Sequence, residues 1–347
     1  MQDPETDISR PQKWTGAAAF RWLLLGLALS LAPALGVELA FSDQVAFWEG
    51  VAEARKATND ASRALRFEGD LHIAQRNFEE LPHRSKVLIM GNSVIAWNVH
   101  HGTVRSCCGD NNTVSKTAVT RLTMLESAML GPTIIGMKPD LVVLSMNRWD
   151  AAGTDGWSGL RWYDPDVAHR ISQTGEFVAQ HTNHFSGLLR HHFLLFRHRQ
   201  ALLQHWGSQA GLPIGDMLNL TGGKPWTNEE ITSTALPTIE TRALRDLAGQ
   251  LRAASIRLLV ISAPTLKLTK TSQSAGYDSV TADIQQHLET HLQAMAIEEG
   301  FAFVSHDRFT GFSEDQFKDT IHLNRPGAIQ FSSQLSVILN RVLKAPE

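Results

Sequence analysis

Three observations predict an α/β fold built on a parallel sheet. Short, unbroken apolar runs stand at Val87–Met90, Asp140–Ser145, Arg257–Ser262 and Phe301–Val304. Helical stretches separate or follow them, with 238–254, 279–299 and 326–343 the clearest. The 347 residues, 43% of them hydrophobic, can bury one large core or two modest ones. Runs without polar alternation belong to strands covered on both faces, the condition inside a parallel sheet. The expected architecture is a three-layer α/β/α sandwich over about 86–343.

The chain opens with a polar stretch, residues 1–21, containing Arg10, Lys13 and Arg21. No charge then interrupts Trp22 to Val37, sixteen residues, and Leu39 to Phe41 extend the apolar run. A spanning helix needs about 20 apolar residues, which 22–41 supplies. Basic residues precede the run while Glu38 and Asp43 follow it, the polarity of a segment whose C-terminal side is exported. A cleaved signal peptide is the competing reading, since Ala32-Pro33-Ala34 has small residues at a suitable spacing. Proline between them argues against cleavage, so an inner-membrane anchor is expected. Residues 42–85 read as polar, helical and membrane-proximal.

Within the sandwich, Val114–Leu130 reads as a helix carrying Leu122, Leu125 and Met129. Residues 148–236 read as an insertion without a strand. It holds a loop from Trp149 to Asp166, a long helix at about 176–206 and a turn-rich segment from Gly211 to Trp226. Loops on a rigid sheet commonly carry specificity. Trp149, Trp157 and Trp162 therefore either offer flat faces to sugar rings or pack the insertion itself. His184, His191, His198 and His205 recur every seven residues, along one side of the helix. Metal sites use closer pairs, so a polar stripe is the better reading and no metal is expected.

Charge narrows the function classes. A formal net charge of −3 and a pI near 6.6, with Lys and Arg scattered, do not suit a nucleic-acid binder. The only two cysteines, Cys107 and Cys108, are adjacent, which disfavours a disulfide between them but leaves a strained vicinal bridge open. No glycine-rich coenzyme loop is present, and no cofactor is expected.

The chemistry concentrates at two places. The strand Val87–Met90 runs into Gly91-Asn92-Ser93, setting a hydroxyl at a strand's C-terminal end, where open α/β sheets place their ligands. Far downstream, Asp319 precedes His322 by three residues in a loop feeding the last helix. A serine needs a base within hydrogen-bond reach to become a nucleophile, and an acid can hold that base in its working tautomer. A helix start after Ser93 would offer N–H groups to an oxyanion. The Gly-x-Ser-x-Gly elbow of α/β-hydrolases is absent.

Gly91-Asn92-Ser93, the strand ending in Ser145-Met146-Asn147, and Asp319-x-x-His322 together resemble the first, third and fifth blocks of the SGNH/GDSL hydrolases. The resemblance covers about 86–343 and implies a flavodoxin-like fold with esterase, lipase or O-acetyltransferase activity. It implies Ser93 as nucleophile, His322 as base and Asp319 as orienter. Asn147 and the Ser93 N–H would serve as oxyanion donors. Asn92 stands where the family has aspartate. The second-block glycine has no clean counterpart; Gly109 is the nearest, with Ser115 or Lys116 as substitutes through backbone N–H. With its N-terminal anchor the chain also resembles membrane-anchored SGNH proteins of bacterial polysaccharide O-acetylation and teichoic acid D-alanylation. That implies a polysaccharide acceptor, a membrane-bound acyltransferase as partner, and a periplasmic or extracellular catalytic domain. An esterase or lipase, and a non-catalytic polysaccharide-binding protein, are the alternatives.

Overall fold

The computed structural model describes residues 32, 36, 60–82, 84–109, 111–120, 122–147, 150–151, 162, 164–171, 238–266, 278–319 and 321–344. The chain divides into two units, Met1–Phe47 and Trp48–Glu347, and the fold lies in the second. The expected anchor at 22–41, apart from Ala32 and Gly36, lies outside the described residues. So do the expected long helix at 176–206 and its histidine stripe. Among the described residues, no helix is long and apolar enough to cross a membrane.

After helix α1 (Asp60–Glu80) come strand β1 (Ser85–Gly91), short helices α2 (Ser93–Asn98) and α3 (His101–Cys107), and strand β2 (Asn112–Ala118). Helices α4 (Met124–Met129) and α5 (Gly131–Met137) lead to β3 (Leu141–Ser145). Then follow α6 (Pro165–Ile171), α7 (Ile239–Ala253), β4 (Arg257–Ile261), α8 (Asp278–Glu299), β5 (Ala302–Val304) and α9 (Arg325–Lys344). The strands pair in the order β2-β1-β3-β4-β5, and every pair is parallel. That is the flavodoxin-like order, whose switch point lies between β1 and β3.

Alternation along the strands builds the three layers. Leu88, Met90, Val142, Leu144, Leu258 and Val260 face one side, against apolar residues of α1, α4, α5, α6, α7 and α8. Val87, Ile89, Leu141, Val143, Leu259 and Ile261 face the other, against α2, α3 and α9. Successive side chains point to opposite faces, and here both faces are covered, which is why the runs are continuously apolar. The expected parallel α/β sandwich is the observed one.

Two local expectations are corrected. The helix expected over Val114–Leu130 is β2 followed by a turn and α4. Its Thr113, Val114 and Thr117 are branched at Cβ and favour extended backbone, while Ser115 and Lys116 make the strand polar, as an edge strand tolerates. Helix α6 stands where no element was expected. The two cysteines are free thiols at the end of α3, Cys107 exposed and Cys108 buried.

Candidate active site

The turn from β1 into α2 sets Ser93, the expected nucleophile. A Cβ on Gly91 would lie 2.7 Å from Ile95 Cγ1, inside the first turn of α2, so only glycine permits this close strand-to-helix approach. Asn92 caps α2: its Oδ1 accepts from the Val94 N–H at 2.9 Å. Ser93 is the first residue of the helix, where a backbone N–H has no intrahelical acceptor. From behind, Lys116 Nζ donates to the carbonyls of Ala96 and Val99 at 2.8 and 2.5 Å, closing the C-terminal end of α2. Burial lowers the Lys116 pKa to about 8, with nearby Arg66 adding to the fall and Asp70 opposing it.

His322, the expected base, comes from the loop before α9. Asp319 Oδ1 accepts from the N–H groups of Ile321 at 3.0 Å and His322 at 2.9 Å, which ties both residues back to Asp319. Its other oxygen, Oδ2, meets His322 Nδ1 at 2.8 Å. His322 Nε2 lies 2.9 Å from Ser93 Oγ. Partial burial works against the Asp319 charge, but the bonds from the imidazole and the two N–H groups outweigh it and lower its pKa. An ionised Asp319 on Nδ1 leaves Nε2 as the acceptor toward the serine.

Asn98 was not singled out from the sequence, yet it joins these two segments. Fully buried at the end of α2, it donates through Nδ2 to the Ile321 carbonyl at 3.0 Å. Its Oδ1 accepts from the Leu323 N–H at 2.8 Å. One side chain thus holds the backbone on both sides of His322. The only available signal was a polar residue one turn past Ser93, on the same short helix. At the far end of the loop, a Cβ on Gly327 would lie 2.5 Å from the Gln316 carbonyl oxygen, so α9 starts tight against it.

Asn147 follows β3, the neighbour of β1, and is buried. Its Oδ1 accepts from the Asp150 N–H at 3.2 Å, while Asp150 Oδ2 accepts from the Asn147 N–H at 3.0 Å. This reciprocal pair is a capping box that holds the asparagine amide through its Oδ1. The remaining Asp150 oxygen, Oδ1, accepts from Asn92 Nδ2. Burial pushes the Asp150 pKa up to about 7, against the hydrogen bonds from Asn147 and Asn92.

Other sequence candidates fall elsewhere. Gly109 is exposed and precedes β2, whose first residue Asn112 pairs with Ser85 at the opposite end of β1 from Gly91. Six residue-to-residue steps of strand separate those ends, about 20 Å, so Gly109 cannot serve an oxyanion at Ser93. Ser115 and Lys116 lie within β2, paired with Leu88 and Ile89. The segment of β2 that does reach Gly91 is Ala118, followed by Val119, whose N–H donates to the Gly91 carbonyl at 3.0 Å. Trp162 is buried in the core, its ring 5.1 Å from that of Phe67 and its Nε1–H donating to Glu68, so it offers no face to a sugar. Trp149 and Trp157 lie outside the described residues.

Trp97, not singled out either, borders the triad. It is 50% exposed, one helical turn after Ser93, with its ring centroid 6.4 Å from that of His322. The Lys318 ammonium lies 3.6 Å from the centroid of the Trp97 ring.

No protein-family model matches the chain, and no curated protein matches it. Solved structures do. A GDSL-like lipase from Bacteroides thetaiotaomicron matches with a TM-score of 0.39 and 13% identity, over 80% of this chain and 99% of its own. Est24, a carbohydrate acetylesterase from Sinorhizobium meliloti, matches with 0.36 and 12%, over 74% and 98%. A catalytic mutant of Axe2, an acetylxylan esterase from Geobacillus stearothermophilus, matches with 0.36 and 10%, over 72% and 91%. The chains it resembles are GDSL/SGNH-like acylhydrolases and acetylesterases.

Proposed function

We propose that the chain forms an acyl-serine at Ser93 and acts on acetyl-type esters of an exported bacterial polysaccharide, transferring the acyl group to or between sugar hydroxyls. The observation that carries the acyl-serine reading is the unbroken line Asp319–His322–Ser93, with contacts of 2.8 and 2.9 Å. Ser93 Oγ attacks the acyl carbonyl carbon as its proton passes to His322 Nε2. Asp319 steadies the imidazolium through Nδ1–H. The negative carbonyl oxygen is received by the Ser93 N–H and Asn147 Nδ2; loss of one such donor costs about 3 kcal/mol of transition-state stabilisation. The leaving alkoxide takes the proton from His322 Nε2, and the acyl group stays on Ser93. An acceptor hydroxyl then gives its proton to His322, attacks the acyl-serine and releases the serine oxygen, which recovers the proton.

The polysaccharide and membrane parts of this reading rest on the sequence resemblance and on the apolar run at 22–41. Trp97 supports a sugar substrate, because an exposed indole beside the nucleophile gives the C–H face of a pyranose something to stack on. A membrane-bound acyltransferase would deliver the acyl group. Hydrolysis is the second reading, and the openness of the site favours it: the Asp319 side chain is 47% exposed, so water reaches the triad. Incubating the full-length protein with p-nitrophenyl acetate, with and without an acceptor oligosaccharide, separates the two. New sugar ester supports transfer, and release of acetate unaffected by any acceptor supports hydrolysis. Turnover equal in wild type and Ser93→Ala sinks both.

A further inference from the structure

One half-buried carboxylate touches both segments assigned to the oxyanion. Asp150 Oδ1 accepts from Asn92, the residue immediately before Ser93, and Asp150 Oδ2 accepts from the backbone of Asn147. The two segments follow β1 and β3, adjacent strands at the switch point of the sheet. With its Nδ2 committed to Asp150, Asn92 must turn Oδ1 to the Val94 N–H, which sets the start of α2 and the direction of the Ser93 N–H. The Asp150 N–H in turn holds Asn147 through its Oδ1. A capping box alone needs only the Asn147 half of this arrangement. The bond to Asn92 is additional, and it spans from one loop to the other.

We propose that Asp150 is a positioning residue that keeps the two halves of the oxyanion hole in register, and that it does so as a carboxylate. Both of its oxygens act as acceptors, which a protonated acid or an amide cannot reproduce, since one of its two groups would become a donor facing a donor. Among the described residues, the charged groups facing it come from the helices packed behind the loop. Glu240 of α7 interacts with Asp150, and Glu126 of α4 with Glu240. Burial raises the Asp150 pKa to about 7 against the bonds from Asn147 and Asn92, so the carboxylate is half lost near neutrality. Acidification therefore loosens the oxyanion hole.

The assignment rests on the acyl-serine reading and is tested beside it, with p-nitrophenyl acetate turnover by the full-length protein between pH 5.5 and 8.5. The informative quantity is the ratio of wild-type kcat to that of Asp150→Asn, because any pH effect common to the two proteins cancels in it. The ratio is expected at about tenfold at the alkaline end, with KM little changed, falling toward one at the acid end where both side chains are neutral. The exchange variant Asn92→Asp/Asp150→Asn restores an acceptor on one side and a donor on the other, and should recover most of the lost kcat. It also keeps the test open should Asp150→Asn fail to fold. A ratio near one throughout, a ratio independent of pH, or an exchange variant no faster than Asp150→Asn would each overturn the assignment. If wild type itself shows no Ser93-dependent turnover, the acyl-serine reading falls first, which separates the two failures.

Discussion

At the scale of single residues, three side chains stand in one hydrogen-bonded line, the proposed triad, and a larger set aims them. Ser93, Asp319 and His322 were legible in the sequence, because a serine after a buried strand and an acid three residues before a histidine are local patterns. Asn98 was not legible, because its partners Ile321 and Leu323 lie more than 220 positions away. Replacing Asn98 with Ala leaves a carbonyl and an N–H of the His322 loop without their partner in a buried place. It should lower stability by about 2 kcal/mol, checked by denaturant unfolding, and lower kcat more than it changes KM. Trp97 makes a different prediction, since under the proposed function it stacks on the sugar and takes no part in proton transfer. Trp97→Ala should raise KM for an acetylated oligosaccharide several-fold and leave p-nitrophenyl acetate kinetics unchanged. Equal effects on both substrates would argue against a sugar-stacking role. The departure at Asn92, unexplained by the motif alone, becomes intelligible once its amide is seen to donate to Asp150.

At the scale of elements, the central strands were readable because burial on both faces makes them continuously apolar, and β2 was not because it is a polar edge. That misreading also placed Gly109 wrongly, since a helix at 114–130 hides which end of β2 adjoins Ser93. Helix α2 has only six residues and depends on tertiary support, from the Gly91 turn at one end and the Lys116 ammonium at the other. A methyl group at Gly91 meets the fully buried Ile95, so Gly91→Ala should cost about 1–3 kcal/mol through overpacking and displace Ser93. Between α4 and α7 a second electrostatic element appears. Glu240 accepts from the Leu125 N–H at 2.8 Å, and burial raises its pKa to about 8. A pKa raised above its unfolded value contributes stability that is full below about pH 4.3 and lost as pH rises through about 8. Glu240→Gln removes that titration, so its melting temperature relative to wild type should climb between pH 5 and pH 9. A difference that stays flat would mean Glu240 ionises normally.

At the scale of the whole molecule, a five-stranded parallel sheet carries all the assigned groups at the C-terminal ends of β1 and β3 and in the loop before α9. Alternation of strand residues between the two core layers explains why a continuous apolar pattern predicted this architecture. It does not extend to the tryptophans read from the insertion. Trp162 entered the core because α1 and the sheet needed an apolar cover, and amino-acid type alone does not separate a packing indole from a binding one. The proposed membrane anchor makes its own prediction: in fractionated cells the full chain should sediment with membranes and be released by detergent but not by high salt. The central claim is that Ser93 carries the acyl group, and mass spectrometry of the peptide containing Ser93 after brief exposure to an acetyl donor tests it most directly. The expected result is a 42 Da acetyl adduct, by about one acetyl per chain, on Ser93 in the wild type that is absent in Ser93→Ala and strongly reduced in His322→Ala. Turnover of the donor without any adduct on Ser93, or with the adduct on another residue, would contradict the account.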